Sequence, residues 1–169
     1  LTNRIYFKKF LSEDDFQYFL NLVLNEKIMV MNYGRVFLLE EAKKCYKRLL
    51  ENNKRHKDFG HFKVFETATN IFIGSGALSI NDDFTEAEVE YLLLPEYWGK
   101  GYGSEIVGEL LNKAEGTKSI QQVTAITDPN NIGSKKILLN NDFVSCKIYE
   151  IDDGSLAEMF SKKIIHPVL

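Results

Sequence analysis

Between residues 87 and 115 the chain reads AEVEYLLLPEYWGKGYGSEIVGELLNKAE, and this stretch narrows the fold more than any other. Its first part is rich in apolar and aromatic residues and predicts a strand. Its last part places Ile106, Val107, Leu110, Leu111 and Ala114 at helical spacing. Between them Gly99, Gly101 and Gly103 stand at alternate positions and leave the backbone bare. A strand, a glycine-rich turn and a helix together make an anion site. The first helical N–H groups lack partners within the helix, and the helix dipole favours negative charge there. Phosphate is the expected guest.

Two common phosphate loops do not fit. A dinucleotide fingerprint spaces its glycines G-x-G-x-x-G and places an acidic residue about twenty positions on. Here the glycines are spaced two and two, and residues 121–124 are Gln, Gln, Val and Thr. A nucleoside-triphosphate loop needs G-K-[ST], whereas Lys100 is followed by Gly101.

The rest of the chain alternates strand and helix signals without a repeat or linker, so a single domain over residues 1–169 is expected. Residues 4–10 predict a strand, and Ser12 with Asp15 resembles a capping box before a helix bearing Phe16, Phe19, Leu20 and Val23. An irregular stretch is expected to hold Met29, Met31 and Tyr33. A second helix follows with Ala42, Cys45, Tyr46, Leu49 and Leu50 at helical spacing. HFKVFET, IFIGSGALSI and AEVEYLLL, separated by turn-like segments, predict an antiparallel meander. After the glycine turn and its helix come a strand, IQQVTAIT, a short helix over GSKKILLNN, and a hairpin of FVSCKIYEI and LAEMFSKKII around DDG. The strand-helix-strand unit from 87 to 127 favours parallel or splayed neighbours. The expected class is mixed α/β.

PEYWGKGYGSEIVGELL resembles the coenzyme A pyrophosphate loop of the GCN5-related N-acetyltransferases, the GNAT superfamily, whose pattern is Gln/Arg-x-x-Gly-x-Gly/Ala. Gly101 and Gly103 fall on its two small positions. Trp98 stands at the Gln/Arg position, which is similar to the YWGKGY of the branch of ribosomal-protein N-terminal acetyltransferases, the RimJ/RimL type. DPNNIGSKKILLNNDF resembles the family's second motif, Asn-x-x-Ser followed by a helix and Gly-Phe. Asn131, Ser134 and Phe143 match it, and Asp142 replaces the glycine. TNRIYFKKFLSEDDF is similar to the branch's first strand and helix.

The resemblance implies a central mixed, mostly antiparallel sheet of about six to seven strands, its fourth and fifth splayed, with about four flanking helices. It implies acetyl-CoA as cosubstrate, no metal, and direct acetyl transfer to a primary amine on a protein N-terminus or a small molecule. Backbone groups around Leu92, Leu93 and Leu94 would pair with the pantetheine arm. Trp98, Gly99, Lys100, Gly101, Tyr102, Gly103 and Ser104 would surround the pyrophosphate. Asn131 and Ser134 would complete the cofactor site, with Ser134 also a donor to the leaving thiol.

Glu88 and Glu90 lie two residues apart on one strand and therefore point to one face, with Val89 and Tyr91 on the other. Both are candidates to take the amine proton. Glu88 sits where the resembled branch commonly has an acid and is therefore the first candidate for the base; Glu90 sits where it commonly has glycine and is a candidate to attract a cationic acceptor instead. A solvated edge with ordinary surface glutamates is the competing reading. A catalytically degenerate acyl-CoA-binding sensor or scaffold is the alternative function.

Composition limits the partners. A net charge of -3 gives no electrostatic reason to expect DNA or an anionic membrane. No apolar run approaches the roughly 18 residues of a membrane span, and LTNRIYFKKF lacks a signal-peptide core, so a cytoplasmic protein is expected. Cys45 and Cys146 form no C-x-x-C, and His56, His61 and His166 have no metal-ligand spacing. The basic run Lys43, Lys44, Lys47, Arg48, Lys54, Arg55 and Lys57 is diluted by Glu40, Glu41, Glu51 and Asp58 and reads as a solvated helix face. The expected assembly is a monomer or homodimer, with Lys162 and Lys163 blunting the terminal edge.

Overall fold

Side chains that alternate along each apolar run can satisfy their backbones only by pairing, and they do so in one seven-stranded sheet. A computed structural model describes residues 4–168; residues 1–3 and 169 lie outside the described residues. The strands are β1 (Ile5–Lys9), β2 (Gly60–Glu66), β3 (Phe72–Ile80), β4 (Glu86–Leu93), β5 (Gln122–Thr127), β6 (Val144–Glu150) and β7 (Leu156–Lys163). Their order is β1-β2-β3-β4-β5-β7-β6. Only β4 and β5 run parallel. Helix α4 (Tyr102–Glu115) makes the crossover that a parallel pair requires. The expected meander is β2-β3-β4, and the expected hairpin is β6-β7.

The two faces of the sheet carry different helices. Helix α4 buries Ile106, Val107, Leu110 and Leu111 against Val64, Ile73, Leu78, Val89 and Val123, joined by Leu138 of α5 (Ile132–Asn140). The opposite face lies under α1 (Phe16–Val23), α2 (Glu26–Tyr33) and α3 (Leu39–Asn53). There Leu22, Val23, Ile28, Met29 and Ala42 pack with Phe65, Phe72, Leu92 and Leu94. Each such aliphatic side chain contributes roughly 1.5–3 kcal/mol by leaving water.

Met29, Met31 and Tyr33, expected in irregular chain, lie instead on helix α2. Asn25 caps it through a bond from Ile28 N to its Oδ1 (3.1 Å), and Gly34, at φ 90°, ends it. It is two turns long and has no continuous apolar stripe, so only its caps betray it. Among the described residues there are five α-helices, where about four are expected. Ser12 caps a short 3-10 turn through Asp14 N (3.2 Å), and the carboxylate of Asp15 accepts from Leu11 N (3.0 Å).

Two polar groups fix β1 and β2 beneath the N-terminal helices. Asn53 donates to Phe10 O (2.9 Å) and His61 O (3.0 Å) and accepts from His61 N (2.8 Å). Gly60 makes room for it: at φ 130°, a Cβ there would lie 2.3 Å from Asn53 Oδ1. Lys63 donates to Asp15 Oδ1 at 2.7 Å, both largely buried. No helix among the described residues is long and apolar enough to cross a membrane.

Candidate functional site

The strands β4 and β5 pair only at Glu86–Gln122, Ala87–Val123 and Glu88–Thr124. Beyond Glu88 they separate, and a cavity of about 570 Å³ opens in the gap and runs under α1–α3. On the β3 side β4 stays paired to Leu93, and Leu94 N donates to Ile73 O (2.8 Å). In an antiparallel ladder alternate residues turn their backbone groups to the same neighbour. Leu94 and Leu92 therefore face β3, while Tyr91 and Leu93, past the last pair at Glu88–Thr124, turn theirs to the gap. This corrects the grouping of Leu92, Leu93 and Leu94 as equally free. Of the three, only Leu93 offers its N–H to the gap, and its carbonyl already accepts from Trp98 Nε1 (2.7 Å). Trp98 is thus a brace between turn and strand.

The glycine turn is held from outside. Gly99 (φ 73°) and Gly101 (φ 86°) adopt left-handed backbone, which makes glycine the fitting residue at both. Gly101 caps α4 without a side-chain bond, and Glu105 N is the first amide bonded back, to Gly101 O (3.2 Å). The amides of Tyr102, Gly103 and Ser104 precede that bond and lack a partner within the helix, which makes this end of α4 a donor set for an anion. Arg4 donates to Lys100 O (2.9 Å), pairs with Glu105, and lies 4.2 Å from the centre of the Tyr102 ring. Tyr102 is buried and its hydroxyl donates to Glu66, so its side chain is committed to the scaffold. Lys100 extends over the Tyr97 ring.

Gly103 differs from the other two glycines. Its φ is ordinary, yet a Cβ would lie 2.7 Å from Ile137 Cδ1 and 3.4 Å from Tyr91 Cε2. The resembled loop pattern treats Gly101 and Gly103 alike, as its two small positions. In the fold, Gly101 is required by backbone conformation and Gly103 by the packing of α4 on α5 and β4.

Glu88 and Glu90 project to the side covered by α1–α3, and both line the cavity. Glu90 keeps accessible surface, but that surface opens onto the cavity, where protein surrounds it. Burial, together with the adjacent Glu88, pushes its carboxyl up to about 7. His61 lines the same cavity. Burial pushes its imidazole down to about 4, so it is neutral at physiological pH, and its Nδ1 is buried without a hydrogen-bond partner. Sequence reasoning set His61 aside for want of metal spacing. The register His61–Ala77 and Ala77–Glu90, which puts all three on one face, is the signal that would have found it.

On the other side of the gap, Asn131 caps α5 by accepting from Ser134 N (3.1 Å), so its Oδ1 is already used. Ser134 lines the cavity and engages the Tyr91 hydroxyl. Burial raises that phenol, and Ser134 opposes the shift, so Tyr91 remains a donor at neutral pH. Ser104 Oγ accepts from Asn141 Nδ2 (3.1 Å) at the end of α5. Met29 and Tyr33 of α2 and Arg48 of α3 also line the cavity, whereas Met31 points outward. One opening therefore joins a carboxylate side and a hydroxyl side, with an uncapped helix N-terminus beside it. Among the described residues no group of three or more His, Cys, Asp or Glu is placed to hold a metal.

Residues 4–144 match the family model described as an acetyltransferase (GNAT) domain. A curated relative, the uncharacterized N-acetyltransferase p20 of Bacillus licheniformis, is 28% identical over 103 residues. That match covers 59% of this chain and 58% of the relative, so the chain spans less than two thirds of that protein's length. Among solved structures, RimL, a ribosomal L7/L12 alpha-N-protein acetyltransferase in complex with coenzyme A, superimposes with a TM-score of 0.81 at 17% identity over 96% of both chains. The spermidine N-acetyltransferase of Vibrio cholerae, in complex with CoA and spermine, gives 0.76 at 16% identity, again over 96% of both. At such identities these likenesses speak to the fold.

Proposed function

The chain belongs to the GNAT acetyltransferase family, and on that premise we propose that it moves the acetyl group of acetyl-CoA directly to a primary amine held against Glu88 and Glu90. The observation that carries this reading is the gap between β4 and β5, which opens on one side to the two carboxylates and on the other to Ser134. The donors fit the cosubstrate. Amides at the uncapped start of α4 suit a pyrophosphate, and the N–H groups of Tyr91 and Leu93 suit an extended amide-bearing arm laid along β4. Acetyl-CoA supplies an activated thioester, so no covalent acetyl-enzyme is needed.

In this reading the amine nitrogen attacks the thioester carbon, and its proton passes to the Glu88–Glu90 pair. Glu90 suits the part of base at neutral pH, because a carboxyl titrating near the working pH combines an available basic form with useful proton affinity. A backbone N–H of the gap steadies the oxyanion. The carbon–sulfur bond then breaks, and the thiolate takes a proton from water or from the hydroxyls of Ser134 and Tyr91. Asn131 acts by holding the first turn of α5, and Trp98 by fixing the turn to β4.

We assign the chain to the RimJ/RimL branch on the YWGKGY turn. The acceptor is a protein N-terminal α-amine or a small amine, and the setting is a single cytoplasmic domain acting as monomer or homodimer. A peptide α-amine, with a pKa near ~8, gives up its proton to Glu90 more readily than a lysine-like amine near ~10.4. The test is calorimetric titration with acetyl-CoA, followed by mass spectrometry of a panel of peptides and amines. Binding with acetylation of at least one amine is expected. Binding without acetylation of any would leave only a cofactor-holding module, and no binding at millimolar acetyl-CoA would end both.

A further inference from the structure

We propose that His61 is an acceptor-binding residue of this site, accepting a hydrogen bond from the incoming amine opposite Glu90 and so turning the amine's lone pair toward the thioester. The inference rests on the acetyl-transfer reading and adds to it a residue from outside the two sequence motifs. Three observations carry it. His61 on β2 and Glu90 on β4 occupy one row across the sheet, with only Ala77 of β3 between them. Both side chains line the one cavity. The imidazole lines the cavity while its Nδ1 is sealed from it and has no partner in the protein, so a turn of the ring toward an incoming amine gives that nitrogen the bond it lacks; a polar atom so placed is rare without a ligand or function to explain it.

The dimensions suit one amine. Strands lie about 4.8 Å apart, so β2 and β4 are separated by roughly 9.6 Å, and the methyl of Ala77 leaves the space above it open. Two side chains leaning together over that methyl leave room for a single nitrogen bonded to each at about 2.9 Å. A lysine or arginine in the same place would repel an ammonium; a neutral imidazole does not.

The backbone around His61 is built to hold it. Asn53 takes its N–H and donates to its carbonyl, and Gly60 leaves space for Asn53 to do so. The charged and titratable groups facing this part of the cavity are Glu88 and Glu90 of β4, Arg48 and Cys45 of α3, Tyr33 of α2 and Asp128 after β5. Lys63, next along the same face of β2, is paired to Asp15. His61 is the neutral member that accepts a hydrogen bond without competing for the proton, because above about 4 its imidazole keeps a single N–H and leaves its other nitrogen as an acceptor.

The test compares His61→Leu with His61→Gln, using an alanyl tripeptide and spermidine as acceptors and calorimetry for acetyl-CoA. His61→Leu should lose about tenfold to a hundredfold in kcat/KM for the amine, the effect of one buried hydrogen bond, with acetyl-CoA affinity unchanged. His61→Gln, which keeps an acceptor, should recover most of it. Equal activity of His61→Leu and wild type, or a parallel loss of acetyl-CoA binding, overturns the proposal. A readout free of turnover keeps it separate from the acetyl-transfer reading. In nitrogen NMR, methylamine should shift the ring signals of His61 and leave His56 and His166 in place. No shift at His61 under saturating methylamine would contradict the proposal even in an active enzyme. Wild type inactive on every amine, with the shift present, would count against acetyl transfer alone.

Discussion

A Cβ on Gly103 would lie 2.7 Å from Cδ1 of Ile137, so the third glycine of the turn is fixed by the packing of α4 on α5. Gly101, at φ 86°, has only the end of Arg4 within reach of such a Cβ, at 3.2 Å. The two positions should therefore fail differently. Gly103→Val overpacks a buried contact and should lower stability by about 1–3 kcal/mol, together with cofactor binding. Gly101→Val strains a left-handed residue at the cap, which costs about 1–2 kcal/mol, and should weaken acetyl-CoA more than it lowers Tm. Thermal melts paired with calorimetry separate them; an identical profile for both would show that the distinction is wrong.

Burial and the adjacent Glu88 raise Glu90 to about 7, which fixes the sign of two pH effects. Activity that needs the ionised form should rise through about pH 7, and Glu90→Gln should remove that limb while lowering kcat/KM by about 10²–10⁴-fold. Stability runs the other way. A carboxyl raised in the folded state binds its proton more tightly there, so stability is fully present below the unfolded value and is lost as pH rises through 7. Glu90→Gln should consequently be more stable than wild type at pH 8, with the gap closing toward pH 4. Denaturant melts across that range check it; a variant less stable at pH 8 would mean the carboxylate is better accommodated than its surroundings indicate.

Lys63 and Asp15 form an ion pair in which both side chains are largely buried, at 2.7 Å. Removing the lysine leaves a carboxylate under the N-terminal helices without its counter-charge, and Lys63→Ala should lower stability by about 3–5 kcal/mol. Burial works to raise Asp15, but bonds from Leu11 N and Lys63 outweigh it, and the carboxyl lies below its ordinary value. That stabilisation is present above the unfolded pKa and is lost as pH falls through the folded one. Urea midpoints at pH 7 and pH 3 should show the Lys63→Ala penalty large at the first and shrunken at the second.

Ser134 gives its backbone N–H to Asn131 and engages the Tyr91 hydroxyl. The thiol of coenzyme A resembles a free thiol near ~8.5, so its departure needs little assistance. Ser134→Ala should lower kcat only about threefold to tenfold with cofactor affinity preserved. A loss of a thousandfold would give the hydroxyl a larger part than a helpful donor.

The sheet, its meander, the crossover helix and the terminal hairpin were legible because period-two and period-3.6 patterns survive in single segments. Helix α2 was not: Asn25 and Gly34 bound it, but eight residues from Glu26 to Tyr33 carry too weak a stripe to declare themselves. The glycine turn was legible as a strand-to-helix turn with bare backbone, while the separate reasons for Gly101 and Gly103 were hidden, since Ile137 meets Gly103 only after α5 docks. The places of His61 and Tyr91 in the cavity were hidden for a related reason. Each gains meaning from neighbours two strands or forty residues away, through a register that no local motif records.

In the proposed reaction the gap beside β4 transfers acetyl groups to amines under the control of Glu88 and Glu90. Initial rates of coenzyme A release from acetyl-CoA, with and without amine, in wild type and in the Glu88→Gln/Glu90→Gln double variant test it most directly. Amine-dependent release in wild type, reduced by at least about a hundredfold in the double variant with acetyl-CoA still bound, is the predicted result. Equal amine-dependent rates in the two proteins would contradict it.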